Sequence, residues 1–235
     1  MNAVAAARQP RSWAAPLAAV VVVLIFAGGV FGYAYSRYVE TREERAALAP
    51  FAPSEQNRDP SKAIPGVVVQ EYRGAQHVKA PQRVAYDKNP PFGGAHDQYW
   101  ATCDGVVYDQ PIRSENVVHS LEHGSVWIAY RPSAVDPAGL EALRARVEGE
   151  SHMLMSPVPT LDEPISLQSW GHQLKLERAD DPRIDQFVRA LRTNRFTHPE
   201  VGATCQSIGP GAFDPNNPPP FRSNPPGPNA APVNG

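Results

Sequence analysis

The segment His119-Ser120-Leu121-Glu122-His123 concentrates the chemistry of this sequence. On a helix, residues four apart lie one turn apart on one face, so His119 and His123 can present two imidazoles to one cation. The segment also spells H-x-x-E-H, the pattern of inverted zinc peptidases, whose acid works as general base on a metal-bound water. Its setting departs from that pattern. Gly124 stops the helix, the chain runs straight into an apolar strand pattern, and no downstream helix carries an acidic third ligand. Glu122 is rotated by about 100° from His123 around the helix, which places it behind a ligand or in a capping role, not on the ion. His96 is the third ligand candidate. Its loop, PPFGGAH, has glycines that permit close backbone approach and prolines that hold a turn.

Met153 and Met155 alternate with His152 and Leu154, so the two thioethers share one face of an expected strand. Met155 is carried as a fourth ligand, and sulfur beside imidazole would favour Cu(I) over zinc; plain core packing is the competing account. His77, His172 and His198 have no partner at metal spacing and are read as structural or exposed. The two cysteines, Cys103 and Cys205, are expected to form a disulfide outside the cytoplasm, against the alternative of Cys103 as a thiolate ligand.

The elements that must position these residues follow from pattern. A short helix is expected from about Glu115 to His123, capped by Ser114. Asp136-Pro137 and Asp181-Pro182 each set a capping residue before a proline, opening helices with Leu140, Leu143 and Val147, and with Ile184, Phe187, Val188 and Leu191, on one face. Strands are expected at 67–72, turning at Gly74 into 76–78, then at 83–86, 125–130, 153–156, 165–170 and 174–176. The order implies an α+β fold: a mixed or mostly antiparallel sheet with about three helices, preceded by one transmembrane helix.

That preceding helix is read from residues 17–35, LAAVVVVLIFAGGVFGYAY, uncharged and long enough to cross roughly 30 Å of hydrocarbon. Tyr33, Tyr35, Arg37 and Tyr38 follow its core where a cleaved signal would have small residues, so retention as a signal anchor is expected. Arg8 and Arg11 on one side nearly balance Arg37, Arg42 and Arg45 on the other, and the inside-N orientation rests on the usual arrangement of a short leader and a long exported domain. The layout is thus a basic cytoplasmic leader at 1–16, the span at 17–35, a stalk at 36–63, an extracytoplasmic domain at 64–205 and a disordered proline-rich tail at 206–235. Gly28 and Gly32 form a small-xxx-small pair that could bring two spans together as a homodimer. With 22 Lys and Arg against 24 Asp and Glu, the net charge of -2 argues against nucleic acid as a partner and leaves the bilayer and an envelope protein.

NPPFGGAH, VHSLEHGSVWIAYRP, MSPVP and ISLQSWGHQLKL together resemble the bacterial membrane-anchored proteins grouped as domain-of-unknown-function family 3105, over roughly Val69 to Cys205. Gly93 departs from that pattern, standing where serine is usual. The resemblance implies fold and membrane location and brings no activity. The expectation is therefore an extracytoplasmic domain with a zinc or copper site of His96, His119, His123 and Met155. Two alternatives stand beside it: a zinc hydrolase with Glu122 as base, and a scaffold or interaction protein whose histidines only hydrogen-bond.

Overall fold

The computed structural model describes residues 14–74, 76–207, 209 and 211–234; most of the expected leader lies outside them. The chain divides into two compact units, Met1–Ala49 and Pro50–Gly235. The first contains α1 (Ala14–Leu48), a 35-residue helix that takes in the whole expected span and continues into the polar residues beyond it. Phe26 and Phe31 on it are each 74% exposed. Among the described residues no helix is long and apolar enough to cross a membrane. The structure thus supplies a continuous helix through 17–35 without establishing that it spans.

The second unit runs β1 (Val68–Val69), β2 (His77–Val78), β3 (His96–Asp97), β4 (Asp104–Val107), α2 (Ser114–Glu122), β5 (Val126–Tyr130), α3 (Pro137–Arg144), β6 (Met153–Pro157), β7 (Ile165–Ser169), β8 (His172–Leu176) and α4 (Arg183–Leu191). Six strands form one sheet in the order β1-β8-β7-β5-β6-β4. The β1–β8, β8–β7 and β7–β5 ladders are antiparallel, and β5–β6 and β6–β4 are parallel. β2 and β3 form a separate parallel pair, with His77 opposite His96. The α+β class and the mostly antiparallel sheet agree with the sequence.

β5, β6 and β7 are buried on both sides; β5 and β6 accordingly read as largely apolar runs, while β7 carries the buried polar residues Ser166 and Gln168. Along β5, Val126, Ile128 and Tyr130 join Met153, Met155, Leu143, Phe187 and Leu191 in one core. Trp127 and Ala129 point the other way, into a second core with Leu154, Val117, Leu121, Cys103 and Cys205. α3 and α4 therefore cover one face of the sheet and α2 the other.

Several expectations are corrected. The 67–72 run forms only a two-residue strand, and instead of turning into β2 it pairs with β8 at the sheet edge. Residues 83–86 contribute only a bridge, Val84 to Ala231. Arg113, not Ser114, holds the cap position of α2, and without a side-chain cap bond. The folded unit also starts before residue 64: Asn194 Nδ2 donates to Arg58 O at 2.9 Å, and His172 Nε2 meets Asp59 Oδ2 at 3.2 Å.

The proline-rich tail is likewise laid on the domain, apart from Ile208, Pro210 and Gly235, which lie outside the described residues. Phe213 is 1% exposed, in the core with Tyr108 and Ile112. Prolines lack a donor but keep an outward carbonyl, and extended chain offers its acceptors to neighbours. Arg113 N donates to Pro219 O at 3.1 Å, Ala85 N to Ala231 O at 2.8 Å and Ala95 N to Val233 O at 2.8 Å. The composition could not show that the rest of the chain provides these donors.

Candidate metal centre

α2 carries His119 and Glu122 three residues apart, which places both on one side of the helix. β3 is held against that side by a polar seam. Arg113 pairs with Asp97 and, at 3.3 Å, with Glu115; Asn116 Nδ2 donates to Tyr99 O at 2.8 Å, and Ser120 Oγ to Ala101 O at 2.6 Å. β2, paired in register with β3, then brings His77 beside His96. The result is a group of His77, His96, His119 and Glu122 whose ligand atoms all lie within 4.8 Å of one another.

The rings are oriented by backbone carbonyls. His96 Nδ1 donates to Gly94 O and His119 Nδ1 to Asp97 O, each at 2.7 Å. A carbonyl only accepts, so each neutral ring carries its proton on Nδ1 and presents the Nε2 lone pair inward, the arrangement that outer hydrogen bonds impose on metal-binding histidines. Gly94 makes the turn at φ +94, a left-handed conformation that a side chain would strain. His96 Nε2 lies 2.8 Å from Glu122 Oε2 without hydrogen-bond geometry. Such a contact is repulsive between a lone pair and a carboxylate oxygen unless a proton or a metal ion stands between them, and a tetrahedral metal with bonds of about 2.1 Å would set its ligand atoms roughly 3.4 Å apart.

Burial sharpens the arrangement. His96 and Glu122 have side chains at 0% exposure, whereas that of His77 is 40% exposed and forms the open side. Burial, with the neighbouring His96 and His123 rings, pushes the His119 imidazole down to about 3, so the ring is neutral over the physiological range. His172 and Asp59 form a second imidazole–carboxylate pair, with His172 Nδ1 donating to Trp170 O at 2.6 Å, and no third or fourth ligand beside it among the described residues. There the imidazole and carboxylate are hydrogen-bonded, and although burial pushes Asp59 up, bonds from His172 and Ser61 outweigh it and hold the carboxyl at about 2.

His123 does not belong to the deep group. It lies with His119 and Glu200 in a second one, its Nε2 3.1 Å from Glu200 Oε2 and its Nδ1 donating to Thr204 O at 2.7 Å. Burial pushes this imidazole down as well. Met155 is on the wrong face: it is fully buried in the α3–α4 core, while α2 packs on the opposite side of the sheet. The assignment of Met155 as a ligand is therefore corrected, and its thioether is core packing.

Cys103 and Cys205 form the expected disulfide. It leaves no thiolate for a metal and fits an oxidising extracytoplasmic setting. Two members of the deep group were missed in the sequence, His77 and Glu122 as a ligand. The available signal for Glu122 was its three-residue spacing from His119, a closer relation around the helix than its step from His123. For His77 no local signal exists, because its strand pairs with β3 only in the folded chain.

The family model described as "Protein of unknown function (DUF3105)" matches residues 77–207, and the chain belongs to that family. No curated protein and no solved structure matches. The matched segment holds every residue of both groups.

Proposed function

We propose that this DUF3105 chain is an extracytoplasmic metal-holding domain tethered to a membrane by α1. The ion sits among Nε2 of His77, His96 and His119 and the Glu122 carboxylate. The observation that supports this most strongly is the convergence of three imidazoles and the fully buried Glu122 carboxylate, whose ligand atoms all lie within 4.8 Å of one another. Three imidazoles and a carboxylate, with no sulfur, suit a divalent ion such as zinc better than Cu(I). A protein shell of four donors, closed except at His77, favours holding and transferring an ion over hydrolysis. A Glu122 that ligates is also unavailable as base for a metal-bound water.

Zinc titration of the full chain in detergent, against a competing chelator, tests the site. One equivalent should bind in the wild type, and His119→Asn, which can keep the donor to Asp97 O, and Glu122→Gln should each weaken it by more than roughly 100-fold, beyond the cost typical of an outer hydrogen-bond partner. Absence of stoichiometric metal, with no uptake of zinc, Cu(I) or Cu(II), would overturn the reading. The tether is supported by the uncharged 17–35 stretch and its outward aromatic and aliphatic side chains, which need a nonaqueous cover. Protease added to intact spheroplasts should digest residues 50–235; full protection, or a soluble product lacking α1, would refute the orientation or the anchor.

A further inference from the structure

We infer that His119, His123 and Glu200 form a second, outer metal position that exchanges its ion with the deep one through the shared His119. The inference rests on the deep group being a metal site, and it adds the route by which that site is filled. The ligand atoms of the outer group also lie within 4.8 Å of one another. Its His123 repeats the logic of His96: Nδ1 is committed to a carbonyl, Thr204 O, and Nε2 faces a carboxylate oxygen at 3.1 Å. Glu200 is fixed there by its backbone, whose N–H donates to Glu122 O at 3.2 Å.

The two positions differ in access. The Glu200 side chain is 37% exposed, while His123 is 3% exposed beneath it, so the outer carboxylate can meet a hydrated cation and the imidazole can strip its water. The His119 and His123 rings are 4.7 Å apart, and Trp100 packs on both, at 5.5 and 4.7 Å, shielding the passage. Because Nδ1 of His119 is held by Asp97 O, only its Nε2 is free to ligate. Both positions cannot use that nitrogen at once. One ion therefore occupies either the deep set of four ligands or the outer set of three, and His119 is retained as it moves.

The test uses zinc for affinity and Co(II) for its ligand-dependent absorption, on the full chain in detergent. His96→Asn keeps a donor for Gly94 O and deletes one deep ligand. This variant should still take up one zinc, at least roughly 100-fold more weakly than wild type, and its Co(II) spectrum should differ. Adding Glu200→Gln or His123→Asn should weaken the residual binding by a further tenfold or more, whereas Glu200→Gln alone should leave equilibrium affinity nearly unchanged and slow zinc uptake. Near-ultraviolet circular dichroism verifies that each variant is folded; Glu200, half-exposed, is the substitution least able to disturb packing. Residual binding in His96→Asn that neither outer substitution changes, or no residual binding, overturns the inference and leaves the deep site standing. Wild-type affinity that depends on Glu200 and His123 but not on His96 or Glu122 overturns the deep site and keeps the outer one. No zinc binding by wild type overturns both.

Discussion

Below the sheet, Val126, Ile128, Met153, Met155 and Leu167 meet Leu143, Phe187 and Leu191 in an apolar core. Above it, α2 covers Trp127 and Leu154 but also brings Glu115, His119 and Glu122 to near-complete burial, with Asp97 and Arg113 beside them. Apolar burial stabilises at roughly 25 cal/mol per Å², whereas a buried charge costs several kcal/mol unless paired and hydrogen-bonded. Both faces therefore contribute apolar burial to stability, and the upper one also carries buried charged groups that position candidate ligands.

Substitutions on the two faces should separate folding from binding. The largest effect is expected below: Phe187→Ala should cost about 3–5 kcal/mol in urea denaturation and leave zinc affinity of the native fraction unchanged. Above the sheet the pattern should invert. His96→Asn should lose about 3 kcal/mol of zinc binding, the equivalent of a 100-fold change, with a smaller change in the stability of metal-free protein.

Acid should also act through the upper face. With His119 held at about 3 in the fold and near 6.5 when unfolded, the unfolded chain takes up the proton first. This contribution to stability is complete above about 6.5 and is lost as pH falls toward 3, on the order of 2 kcal/mol between pH 7 and pH 5. Urea midpoints of chelator-treated protein at pH 7, 6 and 5 should show the slope, and His119→Asn should flatten it. The smallest effect is Met155→Leu, a volume-conserving change expected to cost under about 1.5 kcal/mol and nothing in zinc affinity. A large loss of metal in that variant would break the division between the faces.

What could be read in advance follows the same division. α3 and α4 were legible because their signals are local: Asp136 caps α3, its Oδ1 accepting from Gly139 N at 2.6 Å, whereas α4 starts one residue later than expected, with Pro182 and not Asp181 in the cap position, and Asp181 Oδ1 accepts from Arg183 N at 2.9 Å. β5 and β6 were legible as largely apolar runs, and β7 and β8 as alternating apolar and polar residues, between turns. β3 and β4 were not, since a two-residue strand and one opening on Asp104-Gly105 carry no periodicity; their partners, β2 and β6, lie far along the chain. In the site, helical spacing marked His119, and the glycine bend marked His96. Met155 was misplaced because strand alternation tells which residues share a face without telling which face α2 covers.

The disulfide turns residues 103–205 into a covalent ring. His119 and Glu122 are inside that ring; His77 and His96 are outside it, on the segment that precedes Cys103. A metal ion bound by all four would therefore be a cross-link of a different kind, fastening the leading segment to a loop that is already closed. Losing the ion would release β2 and β3 while the ring stayed intact, so the chain would open like a clasp at one end instead of unravelling, and amide protons at 77–97 would exchange ahead of those in β5 to β8.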